Sequence, residues 1–200
     1  VGTAKAVTVT SVALSGAAAS DYTVSQPSGL AADITAAGLT VDFTASNKVY
    51  DGTDVATITG CSVSGMVGSD AVTCDDGAAS ATFDTTHVGT AKTVTGTGFA
   101  LAGADASDYA ITTVHTSAAD ITAKNLTIDG AAANNKVYDG NDAAVVDFSG
   151  ADLVGVVGSD VVSIDHSGYG ATFDTKHVGT AKAVTVTSVA LSGADASDYT

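Results

Sequence analysis

The sequence contains no Glu, no Arg and no Trp, and it has only seven Lys among 200 residues. Glu and Arg are strong helix formers, so their absence argues against a helical protein. The longest apolar runs are a few residues, which excludes insertion of a helix into a membrane. The formal net charge of −15 also excludes nucleic acid and anionic membranes as electrostatic partners.

Small and β-branched residues dominate instead, because Ala, Thr, Val, Gly and Ser supply two-thirds of the chain. Val and Thr favour strands, whereas Gly favours turns. All 22 acidic residues are Asp, which also favours turns. The composition therefore predicts an all-β protein with many turns. Since 37 of the residues counted as hydrophobic are Ala, its core is expected to be small.

Short strings recur along the chain at offsets of 87 to 90 residues, which indicates tandem small domains. VGTAK begins at Val1, Val88 and Val178, KVYDG at Lys48 and Lys136, VGSD at Val67 and Val157, ATFDT at Ala81 and Ala171, and ADIT at Ala32 and Ala119. Residues 1–23 and 178–200 differ only where Ala18 is replaced by Asp195, so two domain types are expected to alternate. The predicted division is 1–36 (the C-terminal part of a preceding repeat), 37–123 (a complete repeat) and 124–200 (a following repeat without its last strands).

Within one repeat, short alternating stretches are separated by turn signals, which is typical of a β-sandwich. Strands are predicted near residues 39–44, 55–63, 71–75, 80–84, 92–101, 109–114 and 119–122. This number of strands in each repeat of 87–90 residues predicts tandem immunoglobulin-like β-sandwiches, with β-grasp-like repeats as the alternative. The side-chain alternation breaks once per copy, which predicts a bulge or a change of sheet near Ser11, Gly98 and Ser188.

A Leu-Asp-Tyr pattern with a spacing of four residues precedes one strand of each repeat. Its members are Leu101, Asp105 and Tyr109 and, in the next copy, Leu191, Asp195 and Tyr199. The spacing resembles the tyrosine corner of immunoglobulin-type sandwiches, where a Tyr at the start of a strand bonds back to the chain upstream. The alternative is an Asp-capped turn followed by a core Tyr. In the first copy Ala18 replaces the Asp, so the Asp is expected to support the turn without being required for it.

Taken together, KVYDG, VGSD, ATFDT, VGTAK, SGADASDY and ADIT resemble the YDG-domain family over the whole chain. The motif residues are Tyr50, Asp51 and Gly52 in one repeat and Tyr138, Asp139 and Gly140 in the next. The resemblance implies a non-enzymatic repeat module of large secreted bacterial surface proteins and adhesins. From the residues themselves we expect the Tyr to pack over a small core, the Asp to cap a turn, and the Gly to take a conformation that costs other residues energy.

The two cysteines, Cys61 and Cys74, lie in the same repeat, and their counterparts in the next repeat are Ala151 and Ile164. Both cysteines are thus replaced together in the next repeat, as expected of a bonded pair. If Val67-Gly68 centres a hairpin turn, the two cysteines face each other across it, and we predict a disulfide and an oxidising environment. The alternative is a pair of buried thiols that act as small hydrophobic side chains.

Two pairs of carboxylates are the candidates for a calcium site, namely Asp51 with Asp54 and Asp139 with Asp142. Calcium prefers six to eight oxygen ligands, yet neither stretch matches a known calcium-loop pattern. The alternative is that these Asp residues form turns and carry solvated charge. Calcium is the only cofactor for which the sequence offers candidate ligands.

No residue pattern predicts catalysis. His87 and His177 precede VGT in equivalent positions and are interpreted as turn residues, and no Ser-His-Asp order recurs. There is also no glycine-rich phosphate loop before a helix. The sequence therefore predicts that the protein is not an enzyme.

The predicted function is that of a structural repeat in an extracellular bacterial filament or adhesin stalk at the cell surface. Its partners would be neighbouring repeats of the same protein, joined head to tail and each advancing about 30–45 Å, the length of a strand with its turns. The alternative is an adhesive repeat that binds a glycan or a surface, with or without calcium. Near-identical copies and few aromatic residues favour the stalk, since binding surfaces are rich in Tyr, Trp and Arg.

The limits of the chain are expected to fall inside repeats, as in a window onto a longer filament. One giant polypeptide could run through every domain. Alternatively, separate chains could complement each other, with residues 24–36 of one chain supplying strands to the next. The match between residues 1–23 and 178–200 favours the giant chain.

Overall fold

The computed structural model describes residues 1–200 and consists of 20 strands and three single-turn 3-10 helices. The strands are β1 (Gly2–Val7), β2 (Leu30–Ile34), β3 (Ala37–Ala45), β4 (Lys48–Val49), β5 (Val55–Ala56), β6 (Ile58–Ser64), β7 (Thr73–Asp75), β8 (Ser80–Phe83), β9 (Gly89–Thr97), β10 (Ala100–Ala102), β11 (Tyr109–Val114), β12 (Ser117–Thr122), β13 (Thr127–Asp129), β14 (Ala132–Ala133), β15 (Val146–Asp147), β16 (Asp152–Val154), β17 (Ser163–Asp165), β18 (Gly170–Phe173), β19 (Val184–Thr187) and β20 (Ala190–Ser192). The 3-10 turns are Ala19–Asp21, Ala106–Asp108 and Ala196–Asp198. The prediction of an all-β protein is confirmed, and no helix has the length and apolar character needed to cross a membrane.

The chain divides into two compact units. The first comprises residues 1–44, 58–80 and 96–116, and the second comprises residues 45–57, 81–95 and 117–200. Residues of the predicted complete repeat (37–123) occur in both units, because the strands of this repeat belong to different sheets. Each unit is described by itself.

In the first unit, β11, β3 and β6 form a three-stranded sheet in that order, and β11 runs parallel to β3. Two further antiparallel pairs are β1 with β2 and β7 with β10. Strand β3 alternates as its sequence requires, since Leu39, Val41 and Phe43 are buried and the residues between them are more exposed. Leu39 packs with Val72 and Tyr109 in the core of this unit.

In the second unit, five strands form one sheet in the order β4-β12-β9-β8-β5. Strand β12 lies between two partners, parallel to β4 and antiparallel to β9. The apolar side chains Phe83, Val94 and Ile121 of this sheet are buried. The remaining strands pair antiparallel as β13 with β16, β14 with β15, β17 with β20, and β18 with β19.

Equivalent strands of different repeats pair in the same register. The matching Cα pairs are Cys74–Leu101 with Ile164–Leu191, and Lys5–Ala32 with Lys92–Ala119. The β1–β2 and β9–β12 pairs also share one register shift, at which Ala4 and Ala91 have φ of 49° and 48°. Ala181 has a φ of 50° at the equivalent place. Repeated sequence therefore gives repeated backbone geometry down to an unusual residue conformation.

The predicted change of sheet is confirmed at Gly98 and Ser188 but not at Ser11, which has a φ of 63° and lies between β1 and β2 with no strand directly after it. Gly98, with a φ of 81°, separates β9 from β10, and Ser188, with a φ of 60°, separates β19 from β20. In both copies the two strands on either side pair in different sheets. The prediction of one strand over 55–63 was wrong, because this stretch forms two strands, of which β5 pairs with β8 and β6 joins the sheet of β3 and β11.

Candidate functional site: the junction between consecutive repeats

The VGSD string forms a turn that holds the tyrosine of the SDY string. In the complete repeat, the Val67 N–H donates to the Tyr109 hydroxyl at 2.9 Å, and that hydroxyl donates to Asp70 at 2.6 Å. The following repeat makes the same two bonds among Val157, Tyr199 and Asp160. Two strings that are far apart in the sequence are thus two halves of one contact.

The recurring Asp before this tyrosine binds the same turn region. The Asp105 carboxylate accepts the Ala71 N–H at 2.8 Å, and Asp195 accepts the Val161 N–H at 2.7 Å. The hydroxyl of Tyr109 reaches residues 39 and 42 positions upstream, so it does not make the bond of a tyrosine corner, which closes on the chain a few residues upstream. The tyrosine does pack in the core, as the alternative interpretation held.

The motif tyrosine of the complete repeat reaches into the following repeat. Tyr50 donates its hydroxyl hydrogen to Asp160 at 2.8 Å, and its ring meets the Tyr199 ring edge-on with centroids 5.4 Å apart. Asp160 therefore accepts from two phenols that belong to consecutive repeats. Tyr50 is only 4% exposed, and its contacts with Asp160 and Tyr199 of the following repeat contribute to this burial.

A second contact joins the same two repeats through a buried carboxylate. Asp198 is 1% exposed and accepts hydrogen bonds at 2.7 Å from the Val88 backbone N–H and from His87 Nδ1. Hydrogen bonds of this kind involve a charged acceptor and are stronger than neutral ones. His87 was interpreted from the sequence as a turn residue, and the structure shows that it also pairs across the junction.

The aspartate equivalent to Asp198 in the complete repeat is Asp108, which pairs with the N-terminal ammonium of Val1 at 2.7 Å. Val1 and Val88 open equivalent VGTAK strings. The charge on Val1 makes this an ion pair, whereas Val88 donates a peptide N–H.

The surroundings of the junction tyrosines favour their neutral form. Burial and the hydrogen bond to Asp160 raise the pKa of Tyr50 and of Tyr199 above the ordinary value of 10.0, and the hydrogen bond to Asp70 raises the pKa of Tyr109. Deprotonation would place a phenolate against a carboxylate, which both burial and charge repulsion oppose.

We expect alkaline pH to weaken the junction. A raised folded-state pKa contributes stability that is fully present below the unfolded value of 10.0 and is lost as pH rises through the folded-state pKa. The free energy of unfolding, measured in urea, should therefore fall once pH exceeds 10.0. The fall should be smaller in Tyr50→Phe, and an equal fall in the variant and the parent would contradict the assignment to this site.

His87 gives the junction a second pH dependence near neutrality. The hydrogen bond and charge of Asp198 raise the pKa of His87 above 6.5. Its stabilisation is thus present in full below the unfolded pKa of 6.5 and is lost as pH rises through the folded-state pKa. Urea unfolding at roughly pH 6 and roughly pH 8 should show this loss in the parent but not in His87→Gln. His177→Gln, which removes the equivalent histidine without breaking an ion pair, should keep the parent's behaviour.

The Asp and Gly of the YDG string shape the turn that follows the tyrosine. Asp51 accepts the Thr53 N–H and pairs with Lys48 at 2.7 Å, and Gly52 has a φ of 78°. Burial opposes ionisation of Asp51, but the hydrogen bonds from Lys48 and Thr53 outweigh it and lower its pKa.

The YDG string of the following repeat is arranged alike. Asp139 accepts the Asn141 N–H, pairs with Lys136 at 2.9 Å and has a lowered pKa because of that lysine. Gly140 has a φ of 83°. In each repeat the first of the two carboxylates that were candidates for calcium binding therefore forms an ion pair with a lysine. The carbonyls of Asp54 and Asp142 accept backbone N–H groups of Phe83 and Phe173, and no three His, Cys or Asp residues are arranged as a metal-binding group.

The structure joins Cys61 and Cys74 in a disulfide with a Cα–Cα distance of 5.8 Å. The sequence argument placed the two cysteines opposite each other in one hairpin, and this placement was wrong. Strand β6 pairs in the sheet of β3 and β11, and β7 pairs with β10. The disulfide thus connects strands of two separate sheets of the first unit.

Sequence reasoning missed the carboxylates that receive the junction contacts, namely Asp70, Asp160 and Asp198. A signal was present, because the first two end recurring VGSD strings and the third lies in a recurring SDY string. In a chain with 22 Asp and no Glu, recurrence alone did not separate these residues from turn-forming aspartates.

The fold and the junction define an all-β protein with two tandem repeats that contact each other through Tyr50, Asp160, Asp198 and Val88. The YDG domain model matches residues 35–117 and 122–200, which together cover well over half of the chain. The chain therefore belongs to the YDG domain family. No curated protein and no solved structure matches it.

Proposed function

We propose that this chain is a structural repeat module of an extracellular bacterial filament or adhesin stalk, in which repeats join head to tail. The observation that carries the proposal is the contact between consecutive repeats, in which Asp160 accepts from Tyr50 and Tyr199 and Asp198 accepts from Val88 and His87. The strings that supply these residues recur with the sequence period, so the same contact would propagate from repeat to repeat. Such a heterologous contact does not close on itself and so builds a linear array.

The chemistry at the junction suits a connection that transmits tension along the array. Its polar atoms are paired with each other, and the protein has no buried side-chain nitrogen or oxygen without a hydrogen-bond partner. The partly buried Asp160 has partners on both repeats and the buried Asp198 has partners on the preceding one, and separating the repeats would leave these charges without partners. We therefore assign the YDG tyrosine a connecting role and assign the repeats no catalytic role.

For each repeat we propose a β-sandwich of immunoglobulin-like type. The support is that the strands of residues 37–123 belong to a three-stranded sheet, a five-stranded sheet and the β7–β10 pair. The parallel pairs β3–β11 and β4–β12 depart from the antiparallel sheets of immunoglobulin domains, so the β-grasp arrangement remains the alternative. For the cellular location, the support is the disulfide, which persists in oxidising surroundings outside the cytosol.

The test uses arrays of the 177-residue sequence unit, in which residues 1–177 are joined in two, four or eight copies. Electron microscopy of these arrays should give straight rods whose length grows by an equal step per repeat, about 30–45 Å. The double variant Tyr50→Phe, Asp21→Asn in every unit should give shorter end-to-end distances at equal contour length, because Asp21 of each unit takes the place of Asp198 after the unit before it. Compact particles whose length does not follow copy number would overturn the proposal, and saturable binding of the same arrays to a glycan array would favour an adhesive repeat instead.

A further inference from the structure

Equivalent strands of the two repeats are similar enough to replace each other. Residues 88–109 and 178–199 differ at five positions only. Their strands, β9 and β19, also have the same register to the preceding strand, because the Thr93 and Ala183 carbonyls each accept the N–H of the equivalent aspartate at 3.0 Å. Main-chain hydrogen bonds therefore do not distinguish a repeat's own strand from that of its neighbour. Exchange of such strands is a characteristic misfolding route of repeat proteins.

In the complete repeat, two phenylalanine rings cover a glycine of β9. The ring centroids of Phe43 and Phe99 are 5.3 Å apart, and Phe43 is 7% exposed. A Cβ atom added to Gly96 would lie 2.8 Å from the Phe99 ring and 2.9 Å from the Phe43 ring. Packed carbon atoms are about 3.5–4.0 Å apart, so this aromatic pair requires that position 96 has no side chain.

The following repeat has an aromatic cluster that is built from other positions. Phe148 stacks on His166 with ring centroids 4.7 Å apart and meets Tyr169 edge-on at 5.1 Å. The Tyr169 hydroxyl accepts the Val146 N–H at 3.3 Å, which ties the cluster to β15. None of these rings stands at a position that is aromatic in the complete repeat.

The aromatic positions of one repeat are small or aliphatic in the other, and the glycine under the two phenylalanines becomes a valine. The equivalent pairs are Phe43 and Ala131, Phe99 and Val189, Gly60 and Phe148, Ala79 and Tyr169, and Gly96 and Val186. By the register of β14 and β15, Phe148 comes opposite Ala131. By the register of β3 and β6, Gly60 comes opposite Phe43. Each repeat thus has one ring on this strand pair, but the ring is on opposite strands.

We propose that this reciprocal placement of aromatic residues prevents consecutive repeats from exchanging their equivalent strands. If β19 replaced β9, Val186 would take the place of Gly96, where the two rings leave no room for a Cβ atom. If a strand with Ala131 replaced β3, the ring opposite Gly60 would be missing and a cavity would remain. Both exchanged pairings lose stability through overpacking or a cavity, although their main-chain hydrogen bonds are intact.

The alternation of two repeat types therefore has a role in folding. Each strand is most stable in its own repeat, so that a near-identical neighbour does not capture it. Any tandem array of these repeats needs such selective pairing, and the need does not depend on the proposed stalk function.

Exclusion of a side chain at position 96 is tested by urea unfolding of the full 200-residue chain. Gly96→Val should raise the unfolding equilibrium constant by about tenfold or more, because the valine is forced against two rings. In the background Phe43→Ala, Phe99→Val, which carries the residues of the following repeat, the same change should not raise it. Thr93→Ala, the matched control, exchanges an exposed residue of β9 for its counterpart and should change the constant by less than about twofold. An equal effect of Gly96→Val in both backgrounds would overturn the proposal.

Strand exchange itself is tested by refolding a chain whose two repeats have the same aromatic positions. This matched variant carries Phe43→Ala, Gly60→Phe, Ala79→Tyr, Gly96→Val and Phe99→Val. Parent and variant are refolded from urea at high dilution, and hydrogen exchange is then followed by mass spectrometry. In peptides of residues 88–109 and 178–199, a misfolded population gives a second isotope envelope. This population should be about tenfold more abundant in the variant than in the parent.

A reverse matched variant keeps the test decisive where the first one does not fold. It gives the following repeat the aromatic positions of the complete repeat, through Ala131→Phe, Phe148→Gly, Tyr169→Ala, Val186→Gly and Val189→Phe. Circular dichroism before unfolding shows which matched variants are folded. Equal misfolded fractions in the parent and in a folded matched variant would overturn the proposal, and if neither variant folds, the urea comparison at Gly96 decides it.

Discussion

Replacing Asp160 by alanine is expected to lower the free energy of unfolding by about 3 kcal/mol. Asp160 is partly buried and accepts the hydroxyl hydrogens of both Tyr50 and Tyr199. A hydrogen bond to a charged group contributes about 1.5–3 kcal/mol, and its removal leaves the phenols unpaired at a site with little water. The measurement is equilibrium unfolding in urea, followed through tyrosine fluorescence and circular dichroism.

Asp70→Ala is the matched control, because Asp70 is the equivalent carboxylate and accepts a hydroxyl hydrogen from Tyr109 alone. Its loss should cost about half as much as the loss of Asp160. A double-mutant cycle between Tyr50→Phe and Asp160→Ala should give a coupling of about 1 kcal/mol, which isolates the contact between repeats. Equal costs for the two aspartates, together with zero coupling, would show that the junction contributes nothing to stability.

Breaking the Cys61–Cys74 disulfide is expected to lower the free energy of unfolding by about 2–3 kcal/mol. The bond closes a loop with a sequence separation of 13 residues, which restricts the unfolded chain. It also connects strand β6 with β7 across two sheets of the first unit. Urea unfolding with and without reductant measures the effect, and mass measurement under non-reducing conditions checks that no free thiol is present.

The natural counterpart residues offer a sharper comparison for the disulfide. The double variant Cys61→Ala, Cys74→Ile carries the residues that the following repeat has at Ala151 and Ile164. It should unfold identically with and without reductant, and the isoleucine should restore part of the lost stability through apolar burial beside Leu101. A parent protein that is insensitive to reductant would contradict a stabilising role for the bond.

Several features of the protein follow from local sequence signals. The scarcity of helix formers and the alternation of residues such as Leu39, Val41 and Phe43 predict strands, since side-chain period and turn chemistry act over a few residues. The parity break at Gly98 predicts the change of sheet for the same reason. The KVYDG, VGSD and SDY strings are sufficient to indicate the family, because a repeat shows itself by recurrence without knowledge of the fold.

The partners of the recurring residues could not be obtained in this way. The Tyr109 hydroxyl meets Asp70 over 39 residues of sequence, and Tyr50 meets Asp160 over 110 residues. Which of 22 similar carboxylates receives a phenol depends on the path of the chain through the sheets, and no local pattern carries that information. For this reason the YDG tyrosine could be interpreted from sequence only as a core residue.

The sequence by itself determined the all-β class, the repeat period, the family and the positions at which the chain turns, because each of these depends on residues close together in the chain. Only the tertiary structure decided that Asp160 joins Tyr50 to Tyr199 and that Asp198 holds His87 and Val88. Each of these contacts joins two strings that recur in other copies, so the sequence does not show which copies are in contact. The packing of the chain in three dimensions makes that choice.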